Sequence, residues 1–146
     1  MNKSRGFASI GLNYPKNNIN VGSVLRACSC FDVNMLAVTG QRYKHRSADT
    51  TKRWKHMPFL QVKNLKDVIP YRSVPVAVEI IEKSKSLISY VHPENAFYIF
   101  GPEDGSLGKE ILSWCRDVVS IPSLFCLNLA ATVNVVLYDR MTKQRR

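Results

Sequence analysis

The chain has 146 residues, of which 45% are hydrophobic and 22% are charged, a composition typical of one globular domain and unlike that of disordered or fibrous chains. Lysine and arginine number 21 against 11 acidic residues, and the formal net charge of +10 favours a polyanionic partner, with nucleic acid first. On charge alone, a basic enzyme that acts on a small anion remains the alternative. The sequence contains no apolar run long enough to cross a bilayer and no secretory segment, so we expect a cytoplasmic protein without a membrane span.

The domain and cysteine expectations follow from the same composition. We expect a single domain over residues 1–146 and treat 139–146 as a basic tail that is a candidate for disorder. In a reducing compartment, Cys28, Cys30, Cys115 and Cys126 are expected to be thiols rather than a disulfide set. Cysteine and histidine spacing does not match a zinc site, so no metal is expected.

Short apolar runs alternate with helical patterns along the chain. The predicted strands are 7–12, 34–38, 59–62, 74–78, 96–100 and 118–121. The predicted helices are 21–30, 107–114 and 126–141. This order predicts an α/β fold with a mostly parallel sheet and helices on both of its faces.

The last predicted helix has almost no polar face between Leu127 and Met141. In a domain of this size, a second copy of the chain is the simplest cover for such a helix. We therefore expect a homodimer that uses the C-terminal helix.

A first motif lies at the start of the first helix, where Asn20 is placed to cap it and Arg26 stands further along. Small residues, Gly22 and Ser23, leave the helix entrance open, so its free backbone N–H groups and Arg26 could meet an RNA phosphate or a developing alkoxide. A plain capped helix with a solvated Arg26 is an equally good interpretation of these residues alone.

A second motif, Phe100-Gly101-Pro102-Glu103, follows a late strand. At the carboxyl end of a parallel strand, Gly101 would let a ligand approach the backbone closely. Glu103 is either a functional acid or a residue that stabilises the turn.

A third motif joins a strand end at Ile121-Pro122 to the last helix through Cys126, Leu127 and Asn128. The amide of Asn128 should be hydrogen-bonded to a specific group, and a helix cap is the structural alternative to a functional contact.

Together, the order and spacing of Asn-x-Gly-x-x-x-Arg, Phe-Gly-Pro-Glu and Ile-Pro followed by Leu-Asn-Leu-Ala resemble the TrmH/SpoU branch of the SPOUT methyltransferases, in its minimal form without extra domains. The resemblance runs from about residue 7 to residue 139. It implies a C-terminal deep trefoil knot, against the general rule that chains avoid knots. It also implies a dimer with its active site near the subunit interface and S-adenosylmethionine as the methyl donor.

The resemblance also assigns residues to the site. The catalytic or site-shaping positions that it implies are Asn20, Arg26, Glu103 and Asn128. The donor-binding positions that it implies are Val78, Gly101, Ile121, Cys126 and Leu127. Two departures stand out, because the family usually has Ser at Cys126 and Gly at Ser106, and a thiol is a weaker hydrogen-bond donor than a hydroxyl.

The reaction that follows is in-line attack of an RNA ribose 2′-oxygen on the sulfonium methyl group, without a metal. Arg26 is a poor general base because its guanidinium stays charged, so we expect it to stabilise the alkoxide. Transfer RNA is the first candidate substrate, and ribosomal RNA remains the alternative. The rivals are a SPOUT methyltransferase that modifies a base and a catalytically silent knotted RNA-binding protein, for which Cys126 is the motivating feature.

RNA binding has independent support in a basic segment, residues 40–57, in which Tyr43 and Trp54 are interleaved with cations and Asp49 is the one acid. The cations are Arg42, Lys44, Arg46, Lys52, Arg53 and Lys55. Charges suit phosphates and aromatic faces suit unstacked bases, so this segment is predicted to bind RNA, with a solvated surface loop as the alternative.

Overall fold

The computed structural model of the chain describes residues 5–40 and 55–144. Within these residues, the strands are β1 (Phe7–Leu12), β2 (Met35–Val38), β3 (Phe59–Gln61), β4 (Val74–Val78), β5 (Lys85–Ser86), β6 (Asn95–Phe100) and β7 (Asp117–Ser120). The helices are α1 (Asn18–Cys30), α2 (Lys109–Trp114) and α3 (Leu129–Gln144). The seven strands form one sheet in the order β3-β2-β1-β6-β4-β7-β5, and every pairing in it is parallel.

Successive side chains of the central strands point to opposite faces of the sheet and pack into two separate cores, one on each face. In β1 and β6, Ile10 and Tyr98 belong to the core that includes α1 and α3. In β6, the neighbouring Phe97 and Ile99 belong to the opposite core, which α2 and a 3-10 turn at Leu65–Val68 complete. The predicted α/β fold with helices on both faces is therefore confirmed, while the knot stays a prediction.

Helix α3 differs from the predicted last helix at both ends. It begins at Leu129 rather than at residue 126, and it continues to Gln144, so residues 139–144 are helical and are not a disordered tail. Two polar side chains of this segment, Asp139 and Arg140, bond to residues outside the helix, as described below. Residues 145–146 lie outside the described part. Among the described helices, none is long and apolar enough to cross a membrane.

One side of α3 packs on α1 and the sheet, and another stays open. Val133, Val136 and Leu137 are at most 1% exposed, whereas Val135 and Tyr138 are 38% and 57% exposed. The apolar surface of this helix is thus only partly buried within one chain.

Arg140 anchors the end of α3 to the amino end of the sheet. Its guanidinium donates to the carbonyl oxygens of Pro93 and Glu94, each at 2.7 Å, and to that of Arg5 at 3.2 Å. It also donates to the Tyr98 hydroxyl at 3.2 Å, and the whole residue is only 3% exposed. A planar fork of donors can serve several acceptors at once, which a lysine ammonium cannot match in geometry.

His92 continues this polar network. Its Nδ1 lies 2.7 Å from the Tyr98 hydroxyl and its Nε2 lies 2.7 Å from Asp139. Burial lowers the pKa of His92, partly offset by Asp139, and burial raises the pKa of Tyr98 to about 12. Because Tyr98 accepts from Arg140, its proton is available to Nδ1, and Nε2–H then donates to Asp139.

We expect Arg140→Ala to lower the free energy of unfolding by roughly 3 kcal/mol or more, because three backbone carbonyl groups lose their buried donor. Urea unfolding measures the change. Lys63→Ala, at an exposed position, is the control and should alter stability by less than about 0.5 kcal/mol. Equal stability of the two variants would contradict the anchoring role of Arg140.

Candidate active site at the carboxyl edge of the sheet

The carboxyl ends of three adjacent strands, β6, β4 and β7, surround a pocket of about 150 Å³. The strand register aligns Val78 with Phe100 on one side and with Val119 on the other. The pocket is lined by Val78, Glu79, Ile80, Phe100, Gly101, Pro102, Glu103, Gly105, Ser120, Ile121, Ser123, Cys126, Leu127, Leu129 and Thr132. Ligands of open parallel sheets bind outside the carboxyl ends of the strands, so this is the expected place for a site.

All five positions that the resemblance implies for donor binding line this one pocket. They are Val78, Gly101, Ile121, Cys126 and Leu127. They come from the ends of three strands and from the loop before α3, so the fold brings together residues separated by up to 49 positions in the chain (127 minus 78). The structure places these residues together, and their contact with a donor remains a prediction.

Glu79 joins the end of β4 to β7 and to the loop that follows β6, and the sequence motifs did not single it out. Its backbone N–H donates to the Val119 carbonyl at 3.0 Å, and its carboxylate Oε2 accepts from the Leu107 N–H at 2.7 Å. A Cβ added at Gly101 would stand 3.3 Å from that same Leu107 nitrogen, so the loop folds closely over the glycine. The sequence signal that could have identified Glu79 is its position directly after β4, which matches the position of Gly101 directly after β6.

Glu103 ties the pocket to the loop that leads into α1. Its Oε2 accepts from the Lys16 N–H at 2.9 Å, and the next carboxylate, Asp104, binds the Lys16 ammonium at 2.6 Å. The Lys16 hydrogen bond and charge hold the pKa of Asp104 below its ordinary value. Glu103 therefore binds the loop that precedes α1. This contact goes beyond the stabilisation of its own turn, which was one of the two roles predicted from the sequence.

The cap of α1 is Asn17 and not Asn20, which corrects the prediction. The Asn17 side chain accepts from the Ile19 N–H at 2.8 Å, and the helix begins at Asn18. Several asparagines lie close together before the apolar stripe, and the helix starts at the earlier one. Asn20 is half-buried and Arg26 is exposed, and neither is among the residues that line the pocket.

Asn128 is the N-cap of α3. Its Oδ1 accepts from the Ala131 N–H at 2.7 Å, and its carbonyl accepts from the Thr132 hydroxyl at 2.8 Å. Leu129 and Thr132, on the first turn of that helix, line the pocket although Asn128 does not. The structural alternative for Asn128 is thus realised, and the cap positions a wall of the pocket.

Tyr14 is a further residue at this edge that the sequence motifs missed. It has a φ of 53°, a left-handed conformation that is uncommon outside glycine, and it is 56% exposed. The Thr39 hydroxyl accepts from the Tyr14 N–H at 3.0 Å. The same hydroxyl donates to the Asn13 side-chain oxygen at 3.1 Å. The carboxyl ends of β1 and β2 thereby hold an aromatic ring at the surface.

Within the basic segment, the structure describes residues 40 and 55–57. Lys55 is exposed. The other predicted RNA-binding cations, Arg42, Lys44, Arg46, Lys52 and Arg53, lie outside the described residues. Within the described ranges, no three His, Cys, Asp or Glu side chains come together as a candidate metal site.

Solved structures similar to this chain share its fold. The SpoU methyltransferase AviRb from Streptomyces viridochromogenes is 20% identical, with a TM-score of 0.83 over 96% of this chain and 60% of that one. AviRb has also been solved in complex with the cofactor AdoMet. The A. aeolicus TrmH/SpoU tRNA modifying enzyme is 18% identical, with a TM-score of 0.84 over 97% of this chain and 77% of that one.

A third similar structure is comparable to this chain in length. It comes from work on the 2-OH methylation of C/U34 on tRNA, is 21% identical and has a TM-score of 0.77 over 94% of this chain and 96% of that one. By contrast, the chain spans about 60% of the length of AviRb. A comparison with curated proteins finds no significant match.

Membership in a family is shown by a sequence match that covers most of the chain. Residues 8–138 match the SpoU rRNA methylase family, and this range includes every strand apart from Phe7 of β1, and most of each helix described above. The chain therefore belongs to the SpoU rRNA methylase family.

Proposed function

We propose that the protein is an S-adenosylmethionine-dependent RNA methyltransferase that modifies a ribose 2′-hydroxyl, with tRNA as its substrate. The observation that carries this proposal is the pocket, which unites all five implied donor-binding positions at the carboxyl edge of the sheet. A cytoplasmic location follows from the sequence expectation and from the RNA substrate.

The lining of the pocket suits the methyl donor in chemical kind. Val78, Ile121 and Leu127 offer apolar surface for an adenosine moiety, and Gly101 leaves the backbone of the β6 end open to close approach. Two carboxylates, Glu79 and Glu103, match the positive charge of a sulfonium. When bound, S-adenosylmethionine supplies an activated methyl group on that sulfonium.

Arg26 acts on the RNA side of the reaction in this proposal. The ribose 2′-oxygen forms the new bond to the methyl carbon, the carbon–sulfur bond breaks with its electron pair left on sulfur, and the hydroxyl proton passes to solvent. The Arg26 guanidinium is exposed, so it is available to stabilise the alkoxide that develops on the 2′-oxygen. In this proposal, Glu103 and the half-buried Asn20 orient the start of α1, the helix that carries Arg26.

The RNA partner is supported by charge. The chain carries a formal net charge of +10, and the basic segment concentrates cations beside Tyr43 and Trp54. The choice of tRNA rests on the similar structure associated with methylation of C/U34, whose length this chain matches, and on the A. aeolicus tRNA modifying enzyme.

A homodimer through α3 is part of the proposal. Val135 and Tyr138 on α3 are exposed, as are Leu124 at 96% and Phe125 at 84% in the loop before it. A second copy that covers this apolar surface would also bring a partner subunit to the edge of the pocket.

The proposal is tested by radiolabelled methyl transfer from S-adenosylmethionine to purified tRNA and to ribosomal RNA in separate reactions. We expect label on tRNA, with the methyl group on ribose when the digested RNA is analysed by mass spectrometry. Label on a base would favour the SPOUT base methyltransferase. No donor binding and no label would favour the silent RNA-binding protein that the Cys126 departure raises.

Arg26→Ala should lower methyl transfer at least about 100-fold, the scale for loss of one preorganised charge-stabilising group, with the donor dissociation constant unchanged. Lys109→Ala, which also removes one exposed cation, is the control and should retain turnover. Near-normal turnover of the Arg26 variant would refute the assignment.

Asn128→Ala should lower the free energy of unfolding by about 1 kcal/mol because α3 loses its N-cap, whereas Asn128→Ser should keep the cap. We expect the serine variant to retain most of the methyl transfer activity. A serine variant with normal stability and no turnover would instead assign the amide of Asn128 to direct contact with a substrate.

Sedimentation velocity at micromolar concentration should show a dimer for the wild type and a monomer for Tyr138→Glu, because a charge would be buried at the proposed interface. Tyr71→Glu introduces the same charge at a position that is 88% exposed outside α3, and it should leave the dimer intact. A monomeric wild type would overturn the interface.

A further inference from the structure

The pocket is acidic in a strongly basic chain. Its lining includes two carboxylates, Glu79 and Glu103, and among the described residues that line it there is no lysine, arginine or histidine. The chain as a whole carries a formal net charge of +10. A local negative charge of this kind repels RNA phosphates and favours a cationic ligand.

The two carboxylates differ in position. Glu103 is exposed and is tied to the Lys16 backbone beside the Lys16–Asp104 ion pair, so a cation already stands next to it. Glu79 is half-buried, where solvent screens its charge less. The charge of Glu79 therefore contributes more than that of Glu103 to the electrostatic potential inside the pocket.

The Glu79 carboxylate is also fixed in place. Oε2 accepts from the Leu107 N–H at 2.7 Å, while Oε1 has no hydrogen bond with any other described residue. A preorganised charge interacts with a ligand without the cost of reorganising at the moment of binding.

We propose that Glu79 is the residue that makes the pocket select the cationic methyl donor over its neutral-sulfur product. This inference rests on the proposed function of the pocket. Transfer of the methyl group leaves the electron pair of the broken bond on sulfur, so the sulfonium becomes a thioether and one positive charge leaves the pocket. The charge of Glu79 then favours the donor before the reaction and weakens retention of S-adenosylhomocysteine after it.

The test separates the charge of Glu79 from its hydrogen bond. Glu79→Gln removes the charge, but its amide oxygen can still accept from the Leu107 N–H, and Glu79→Ala removes both. Glu82→Gln is the matched control, because Glu82 is an exposed acid three residues away that does not line the pocket. Calorimetry gives the dissociation constants of S-adenosylmethionine and S-adenosylhomocysteine for all four proteins.

We expect Glu79→Gln to weaken S-adenosylmethionine binding about tenfold and to leave S-adenosylhomocysteine binding unchanged, so that the ratio of the two affinities falls. Glu79→Ala should weaken both ligands, since the Leu107 loop loses its acceptor, and Glu82→Gln should change neither. A merely structural role for Glu79 would lower both affinities together and leave their ratio constant.

Two outcomes would overturn the inference, and they can be told apart. If the wild type binds the donor and the affinity ratio is the same in Glu79→Gln, selectivity by Glu79 fails while the proposed function of the pocket stands. If the wild type binds neither compound, the proposed function of the pocket fails with it.

Discussion

The position of β4 between β6 and β7 is the constraint on which the pocket depends. Parallel pairing on both sides puts the carboxyl ends of the three strands at one edge of the sheet. The chain leaves each of these ends in an irregular loop. Glu79 bonds through its backbone to Val119 of β7 and through its side chain to Leu107 in the loop that follows β6. The wall of the pocket is thus a direct consequence of strand order.

Much of the fold could be predicted because both faces of the sheet are covered, so its strands appear as short apolar runs. The bounds of β1 and β4 agree with the sequence pattern. Strand β5, only Lys85–Ser86, carries no apolar signal and was missed. The start of α1 was misplaced because neighbouring asparagines all have cap chemistry, and only backbone geometry chooses between them.

The candidate site divides in a similar way. Val78, Gly101 and Ile121 were placed by family resemblance, and their convergence has a simple cause, since each stands at or just beyond the carboxyl end of a parallel strand. Glu79 lies in a stretch whose pattern fits helix, strand end and loop equally, so its role emerged only from the register of β4. Arg26 does not line the pocket, and the sequence could not reveal this because spacing alone does not define the rotation of α1 about its axis.

Arg140 constrains its own position in the chain but leaves the side chains of three of its partners free to vary. Three of its acceptors are the backbone oxygens of Arg5, Pro93 and Glu94, and any amino acid supplies a carbonyl there. Side chains at those three positions can therefore drift through evolution without a compensating change in the arginine. Methods that find contacts from correlated substitutions will therefore miss these three contacts, and only the contact with the Tyr98 hydroxyl joins Arg140 to another side chain.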